Sequence, residues 1–269
     1  MKKRKRGLTM LRDNFHQEMA DKIWQCSKDA VSIEAFSKNY PEMTLSDSRK
    51  IQMINIARRL DEGHRMVGKK VGATNKVMQE LLNLQEPVMG YLLSDIIKNQ
   101  RETIARASQI NPFIECEIGF VMSEPLSGPN AQPYDVLSRV AGAIPTIEVP
   151  DMRIHGDVQI LDALADNVYN GYLVVGDVLT DVRGLDFSNI PITLYKNGEA
   201  VCYSGSAAAM GSPVYVVAWL ANKLYEYGER IEKGDIVITG SLNPAFYIEA
   251  GDTFMGDFGP LGRVQAKFV

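Results

Sequence analysis

Glu115-Cys116-Glu117 lies inside an apolar stretch, with Phe113-Ile114 before it and Ile118-Gly119-Phe120-Val121 after it. On a strand, successive side chains alternate faces, so Glu115 and Glu117 share one face and Cys116 takes the other. A third carboxylate, Glu148, interrupts a similar run, with Ala143-Ile144-Pro145-Thr146-Ile147 before it and Val149 after it. A chain that buries carboxylates in strands must bring positive charge to them, because desolvating an unpaired carboxylate is expensive. A hard divalent cation such as Mg2+ meets that need with oxygen ligands. The plainer alternative is a Glu-x-Glu pair on a solvated strand face, which requires no ligand. The apolar flanks and the matching setting of Glu148 weigh towards a metal site, and with it an enzyme.

The rest of the composition narrows the class. With 269 residues there is room for one large domain or two modest ones. Hydrophobic content of 45% and charged content of 23% are those of an ordinary globular chain. A net charge of -4 gives no general electrostatic case for a nucleic acid or membrane partner, and no apolar run approaches the length of a membrane span. Cys26, Cys116 and Cys202 are far apart and lack zinc-ligand spacing, which suits a reducing cytoplasm and no disulfide framework. The charge run Lys2-Lys3-Arg4-Lys5-Arg6 reads as part of a solvated, disordered leader over residues 1–10. No apolar signal-peptide core follows it, and Met10 offers an alternative start.

Apolar residues at helical spacing (Leu11, Phe15, Met19, Ile23, Trp24) predict a helix over residues 11–36. A second is expected over 44–61, capped by Ser46 and stopped by Gly63. Together they form a small helical N-terminal cap, residues 11–64. From 65 to 269 the texture is that of a β-rich catalytic domain. Strands are expected over 67–72, 102–107, 114–121, 144–149, 172–175, 235–239, 253–257 and 264–268. Short helical pieces are expected at 76–84, 135–140 and 157–165. Asn197-Gly198 predicts a hairpin between 192–196 and 200–203, and 213–227 carries an apolar helical stripe of Val216, Val217, Leu220 and Leu224. The fold class is α/β, β-rich, with a mixed sheet.

Several other residues can carry chemistry. If Lys70 faces inward on its strand, Lys69 faces out. An inward lysine beside a carboxylate-bound cation can hold an anionic substrate and move a proton; the plainer alternative is two solvated lysines. Asp166-Asn167 occupies a helix-to-strand turn that runs on through Asn170. These are normal turn formers that also suit substrate contact or orienting a water. Ser241 and Leu242 lie in the loop Thr239-Gly240-Ser241-Leu242-Asn243-Pro244 at a strand end. Histidine is scarce, with only His16, His64 and His155, and no Gly-x-Ser-x-Gly elbow occurs, so a serine hydrolase is poorly supported. His155 reads as a surface residue, or else as a general acid near Glu148.

Taken in order, a set of segments resembles the 2-keto-4-pentenoate hydratase and 4-oxalocrotonate decarboxylase family, within the fumarylacetoacetate hydrolase superfamily. They are Tyr40-Pro41-Glu42-Met43-Thr44, Lys70-Val71-Gly72-Ala73-Thr74, Glu86-Pro87-Val88-Met89-Gly90-Tyr91-Leu92, Glu115-Cys116-Glu117-Ile118, Pro145-Thr146-Ile147-Glu148-Val149, Ala165-Asp166-Asn167, Lys196-Asn197-Gly198-Glu199, Ala207-Ala208-Ala209-Met210-Gly211-Ser212-Pro213, and Gly234-Asp235 through Thr239-Gly240. The resemblance implies a mixed β-roll fold and one Mg2+ (or Mn2+) on Glu115, Glu117 and Glu148. It implies Lys70 as the active-site lysine and Asp166 as an acid–base group. Asn167, Asn170, Ser241 and Leu242 become substrate-binding candidates. The implied activity is a lyase acting on small 2-oxo or 2-hydroxy-dienoic acids of aromatic catabolism, a hydratase first and a decarboxylase second. The implied protein is a homo-oligomer, open to a complex with a sister hydratase or decarboxylase, or a non-catalytic partner subunit of one. Three departures stand out. Tyr169-Asn170 occupies positions where the family commonly has two serines, Ser212 one where it commonly has histidine, and Val88 one where hydratases often have aspartate. Glu86 through Leu92 looks more like decarboxylases, and Ser241-Leu242-Asn243-Pro244 more like hydratases.

Overall fold

The computed structural model describes residues 14–81 and 84–269. The basic leader and the first residues of the expected 11–36 helix lie outside them. Helix α1 (Phe15–Asp29) buries Phe15, Met19, Ala20, Ile23 and Cys26 along one stripe. It ends short of the expected span because Ala30 turns left-handed at φ 53°. The chain then forms strand β1 (Ile33–Glu34), parallel to β8 (Ile154–His155). Helix α2 (Leu45–Asp61) starts on Thr44, not on Ser46. The Thr44 hydroxyl accepts the Asp47 N–H at 3.3 Å and the Asp47 carboxylate accepts the Thr44 N–H at 2.9 Å. This reciprocal pair satisfies two otherwise free donors, which Ser46 inside the helix cannot do. Gly63, at φ 93°, follows the helix as expected.

The strands form two larger sheets. One runs in the order β3 (Val88–Leu93), β2 (Met66–Gly72), β12 (Ile236–Ile238), β6 (Phe113–Met122), β7 (Val140–Val149), β9 (Tyr172–Val175), β4 (Ile97–Asn99), with β13 (Phe246–Tyr247) pairing on β6. The other runs β11 (Glu199–Gly205), β10 (Pro191–Lys196), β14 (Thr253–Asp257), β15 (Arg263–Phe268), β5 (Thr103–Ile104). Parallel and antiparallel pairs mix in both, and the Asn197-Gly198 hairpin joins β10 to β11 as expected. The strand expected over 102–107 shrinks to two residues before a 3-10 turn at Arg106–Ser108. Strand β3 was not foreseen, since all six of its residues are buried and no alternation marks it. Short helices α3 (Lys76–Leu81), α4 (Pro133–Arg139) and α5 (Ile160–Ala165) connect the strands, and α6 (Pro213–Glu226) lays its apolar stripe into the main core. Among the described residues no helix is long and apolar enough to cross a membrane.

Register places the carboxylates. In the β6–β7 ladder Glu115 stands directly opposite Glu148, and Glu117 opposite Thr146. Two strands away, Lys70 of β2 is paired through Ile238 of β12. The alternation holds: Cys116 is fully buried in the core on the reverse of the sheet.

Candidate metal centre and active site

Glu115, Glu117 and Glu148 each offer a carboxylate oxygen, and these oxygens all lie within 4.8 Å of one another. Glu117 and Glu148 are each 1% exposed, and Glu115 is half-buried. Like charges directly opposite across strands repel, so this cluster is unstable as three bare carboxylates. Among the described residues the one cation bonded to it is Lys70, whose Nζ pairs with Glu148 Oε1 and donates to the Val168 carbonyl at 2.8 Å. Glu117 Oε2 accepts the Gly240 N–H at 2.7 Å. Burial, with the charge of Glu148, pushes Glu115 up to about 7. Burial and the charges of Glu148 and Glu115 push Glu117 well above the usual carboxylate range. Glu148 Oε2 is buried without a hydrogen-bond partner. Three converging carboxylates, one of them with an unpartnered oxygen, fit a hard divalent cation in place of the protons the cluster otherwise needs.

The loop after β12 builds one wall. Gly240 has φ 90°, and a Cβ there would sit 2.1 Å from Thr74 Oγ1, so only glycine brings this N–H to Glu117. The Asn243 amide accepts the Cys116 N–H at 2.6 Å and donates to the Ile114 carbonyl at 3.0 Å, extending the ladder past the end of β12. The Ser241 hydroxyl donates to the Asn243 carbonyl at 2.8 Å, and its nearness draws the Glu115 pKa down against burial. Leu242 sends its side chain into the hydrophobic core, while its N–H donates to the Cys116 carbonyl at 2.9 Å.

The second wall is the turn after α5. Asp166 caps α5, and its Oδ1 accepts Arg153 Nε at 2.6 Å. Burial outweighs that partner and pushes Asp166 up to about 6, and its Oδ2 has no hydrogen-bond partner. It lines a cavity of about 70 Å³ together with Arg153, Gln52 and Asn170, which none of the three glutamates reaches. Asn167 Oδ1 accepts from the Tyr91 N–H at 2.9 Å and from Gln52 at 3.0 Å, while its Nδ2 donates to the Tyr91 carbonyl at 2.9 Å. Asn170 donates to the same carbonyl at 2.7 Å. Both asparagines thus hold the main chain of β3.

Lys69 departs from the expectation of a solvent-facing lysine. It is 5% exposed and pairs with Asp235 at 3.1 Å, because the second face of β2 is covered as well. His155 is exposed on β8, in keeping with a surface role, and Ser212 is the 7% exposed residue before the first turn of α6. Sequence reasoning missed Gln52, Arg153 and Asn243 as builders of the site. The one signal available for Gln52 was a polar residue amid Ile51 and Ile56 on the buried side of α2.

Comparison with known proteins agrees with this geometry. The fumarylacetoacetate (FAA) hydrolase C-terminal family matches residues 57–269. A 2-keto-4-pentenoate hydratase of Paraburkholderia xenovorans is 32% identical over 253 residues, 94% of either chain. A 2-oxo-hept-4-ene-1,7-dioate hydratase of Escherichia coli is 32% identical over 267 residues, 97% of this chain and 100% of the relative. Among solved structures, 4-oxalocrotonate decarboxylase from Pseudomonas putida G7, complexed with magnesium and adipate, superposes with a TM-score of 0.93 at 29% identity, covering 97% of this chain and 99% of that one.

Proposed function

The chain belongs to the fumarylacetoacetate hydrolase C-terminal family, and from that premise we propose that it is a metal-dependent lyase. Its reaction is hydration of a small 2-hydroxy-dienoate, such as 2-hydroxypenta-2,4-dienoate, to a 4-hydroxy-2-oxo acid. The observation that carries this reading is the buried cluster of Glu115, Glu117 and Glu148 with Lys70 bonded to it. The hydratase relatives, 32% identical over nearly the whole chain, support water addition as the outcome.

Glu115, Glu117 and Glu148 would hold Mg2+ or Mn2+. When bound, such an ion supplies positive charge against the negative charge that develops on the substrate's 2-oxygen. The remaining work falls to the protein. Two of the three N–H bonds of Lys70 are engaged by Glu148 and Val168, leaving one for the substrate carboxylate or for a proton in transit. Net hydration adds a proton at the diene terminus, hydroxide at the neighbouring carbon and a proton next to the keto group, while the enol proton is released. Lys70 is the proposed proton carrier at the cluster, and Asp166, in the cavity it shares with Arg153, is the second candidate. Asp166, pushed up to about 6, is poised near neutrality for that task. Ser241, beside Glu115, is the proposed substrate contact of the loop, and Asn167 and Asn170 serve the site through the wall they build. The free cysteines suit a cytoplasmic setting. Exposed Val201 and Tyr203 on β11, at the edge of its sheet, suit a homo-oligomer.

One observation favours a second reading: the superposition on a decarboxylase at a TM-score of 0.93. As carbon dioxide leaves a dicarboxylic 2-oxo acid, the electron pair of the broken C–C bond passes into the conjugated 2-oxo group, and an ion held by the same cluster would supply positive charge against it. Product analysis separates the two. Metal-dependent loss of the diene absorbance in the wild type and not in Glu117→Ala, with a 4-hydroxy-2-oxo acid formed, supports the hydratase. Carbon dioxide from 4-oxalocrotonate, with the diene untouched, replaces it by the decarboxylase. Turnover of neither substrate with Mg2+ or Mn2+ sinks both.

A further inference from the structure

Asn167, Val168 and Tyr169 have φ of 51°, 55° and 57°, three consecutive non-glycine residues in the left-handed region. L-residues avoid that region, and a β-branched valine avoids it most. Such backbone persists only where its surroundings over-determine it. Here they do. The Asn167 amide bridges the N–H and carbonyl of Tyr91 on β3, and Gln52 of α2 donates to the same Asn167 oxygen at 3.0 Å and to the Met89 carbonyl at 3.5 Å. Asn170 adds a bond to the Tyr91 carbonyl. Space is cleared as well, since a Cβ on Gly90 would meet Lys70 Cγ at 2.9 Å and Asn167 O at 3.0 Å.

The outcome of this construction is the direction of one carbonyl. The left-handed turn presents Val168 O to Lys70 Nζ at 2.8 Å. The other partner of that ammonium is Glu148, for which a bound cation competes; the Val168 carbonyl is neutral and free of that competition. We propose that Gln52 and Asn167 are positioning residues for Lys70: they hold the turn whose Val168 carbonyl fixes the lysine, so that α2 governs the reaction without contributing a group to the carboxylate cluster. The inference rests on the reading of Lys70 as a substrate-facing group.

The test uses the full-length protein with Mg2+ bound. Gln52→Ala removes the clamp from α2. Asn167→Gly removes the amide bridge while leaving the left-handed backbone easy to adopt, so a loss there does not come from strain. Thr44→Ala is the structural control: it removes the cap of the same helix, eight residues before Gln52, where the Thr44 hydroxyl accepts the Asp47 N–H at 3.3 Å. We expect Gln52→Ala and Asn167→Gly to lower kcat by about ten- to a hundredfold, with KM and the Mg2+ midpoint within about twofold. Competitive acetylation read by peptide mass spectrometry should show Lys70 labelled faster in both. Thr44→Ala should lower Tm and leave kcat and Lys70 labelling as in the wild type. The proposal is overturned if Gln52→Ala and Asn167→Gly behave like Thr44→Ala. Should Asn167→Gly not fold, Gln52→Ala decides. If the wild type turns over no substrate, the functional reading has failed, and the labelling contrast alone judges the positioning role.

Discussion

Strand β2 carries two lysines side by side, and its two faces make opposite use of them. Lys69 and Lys70 are 5% and 2% exposed, and each pairs with one carboxylate. On the Lys69 face the account closes: Asp235 accepts Lys69 at 3.1 Å and the Glu232 N–H at 2.9 Å, and the ammonium lies 5.6 Å from the Tyr91 ring centroid. On the Lys70 face one ammonium confronts three carboxylates, and Glu148 Oε2 stays unpartnered. Burial and ion pairing are common to both faces. What marks the functional one is uncompensated charge, which the fold tolerates only because something else is to bind there.

Removing charge should therefore act in opposite senses on the two faces. The largest effect is expected for Glu117→Ala. Turnover falls by about 10³-fold or more with the loss of a metal ligand. In the metal-free protein Tm rises, because a repelled and buried carboxylate has gone. Lys69→Met is the next largest and inverts that pattern: Asp235 is left buried without its cation, at a cost of about 3 kcal/mol, while kcat stays near the wild-type value. Lys69→Met with Asp235→Leu recovers most of that stability, since a buried pair replaced whole by apolar groups is close to neutral. Thermal melts and initial rates on the four proteins check all of this. A Lys69→Met variant with normal Tm and no turnover would erase the distinction between the faces.

Why only one face was legible beforehand has a physical explanation. Alternation along β6 is local, so the separation of Glu115 and Glu117 from Cys116 could be read from spacing. Glu148 came from its apolar setting, and the register that sets it opposite Glu115 agrees with that reading. The site also drew on the resemblance, which named Lys70 beyond what its own strand revealed. Lys69 was misjudged because alternation tells which face a residue takes and not whether that face is covered; Asp235, 166 residues away, covers it. Gln52 and Arg153 escaped notice for the same reason, their partners Asn167 and Asp166 being fixed by tertiary packing. The Ser46 cap failed more locally. Thr44 and Asp47 already satisfy the helix terminus reciprocally. Strand β3 left no periodic trace because both its faces are buried.

The smallest predicted effect sharpens the comparison through pH. Glu115 is pushed from an ordinary 4.5 up to about 7 by burial and its neighbours, and Glu117 moves in the same direction. A carboxylate with a raised folded-state pKa stabilises the fold while protonated. That contribution is complete below about pH 4.5 and is lost as pH rises through 7, so the metal-free protein should melt progressively lower across this window. A cation must displace the same protons, and its binding therefore runs the other way, tightening with rising pH. For each proton released, apparent Mg2+ affinity should weaken about tenfold, or about 1.4 kcal/mol, per pH unit below 7 and level off above it. Calorimetric titration with Mg2+ in buffers of different ionisation enthalpy measures both the affinity and the protons released. Binding that is independent of pH between 5.5 and 7.5 and releases no proton would mean that the three carboxylates are already ionised and balanced, as Asp235 is by Lys69. The contrast between the two faces of β2 would then have to rest on something other than charge.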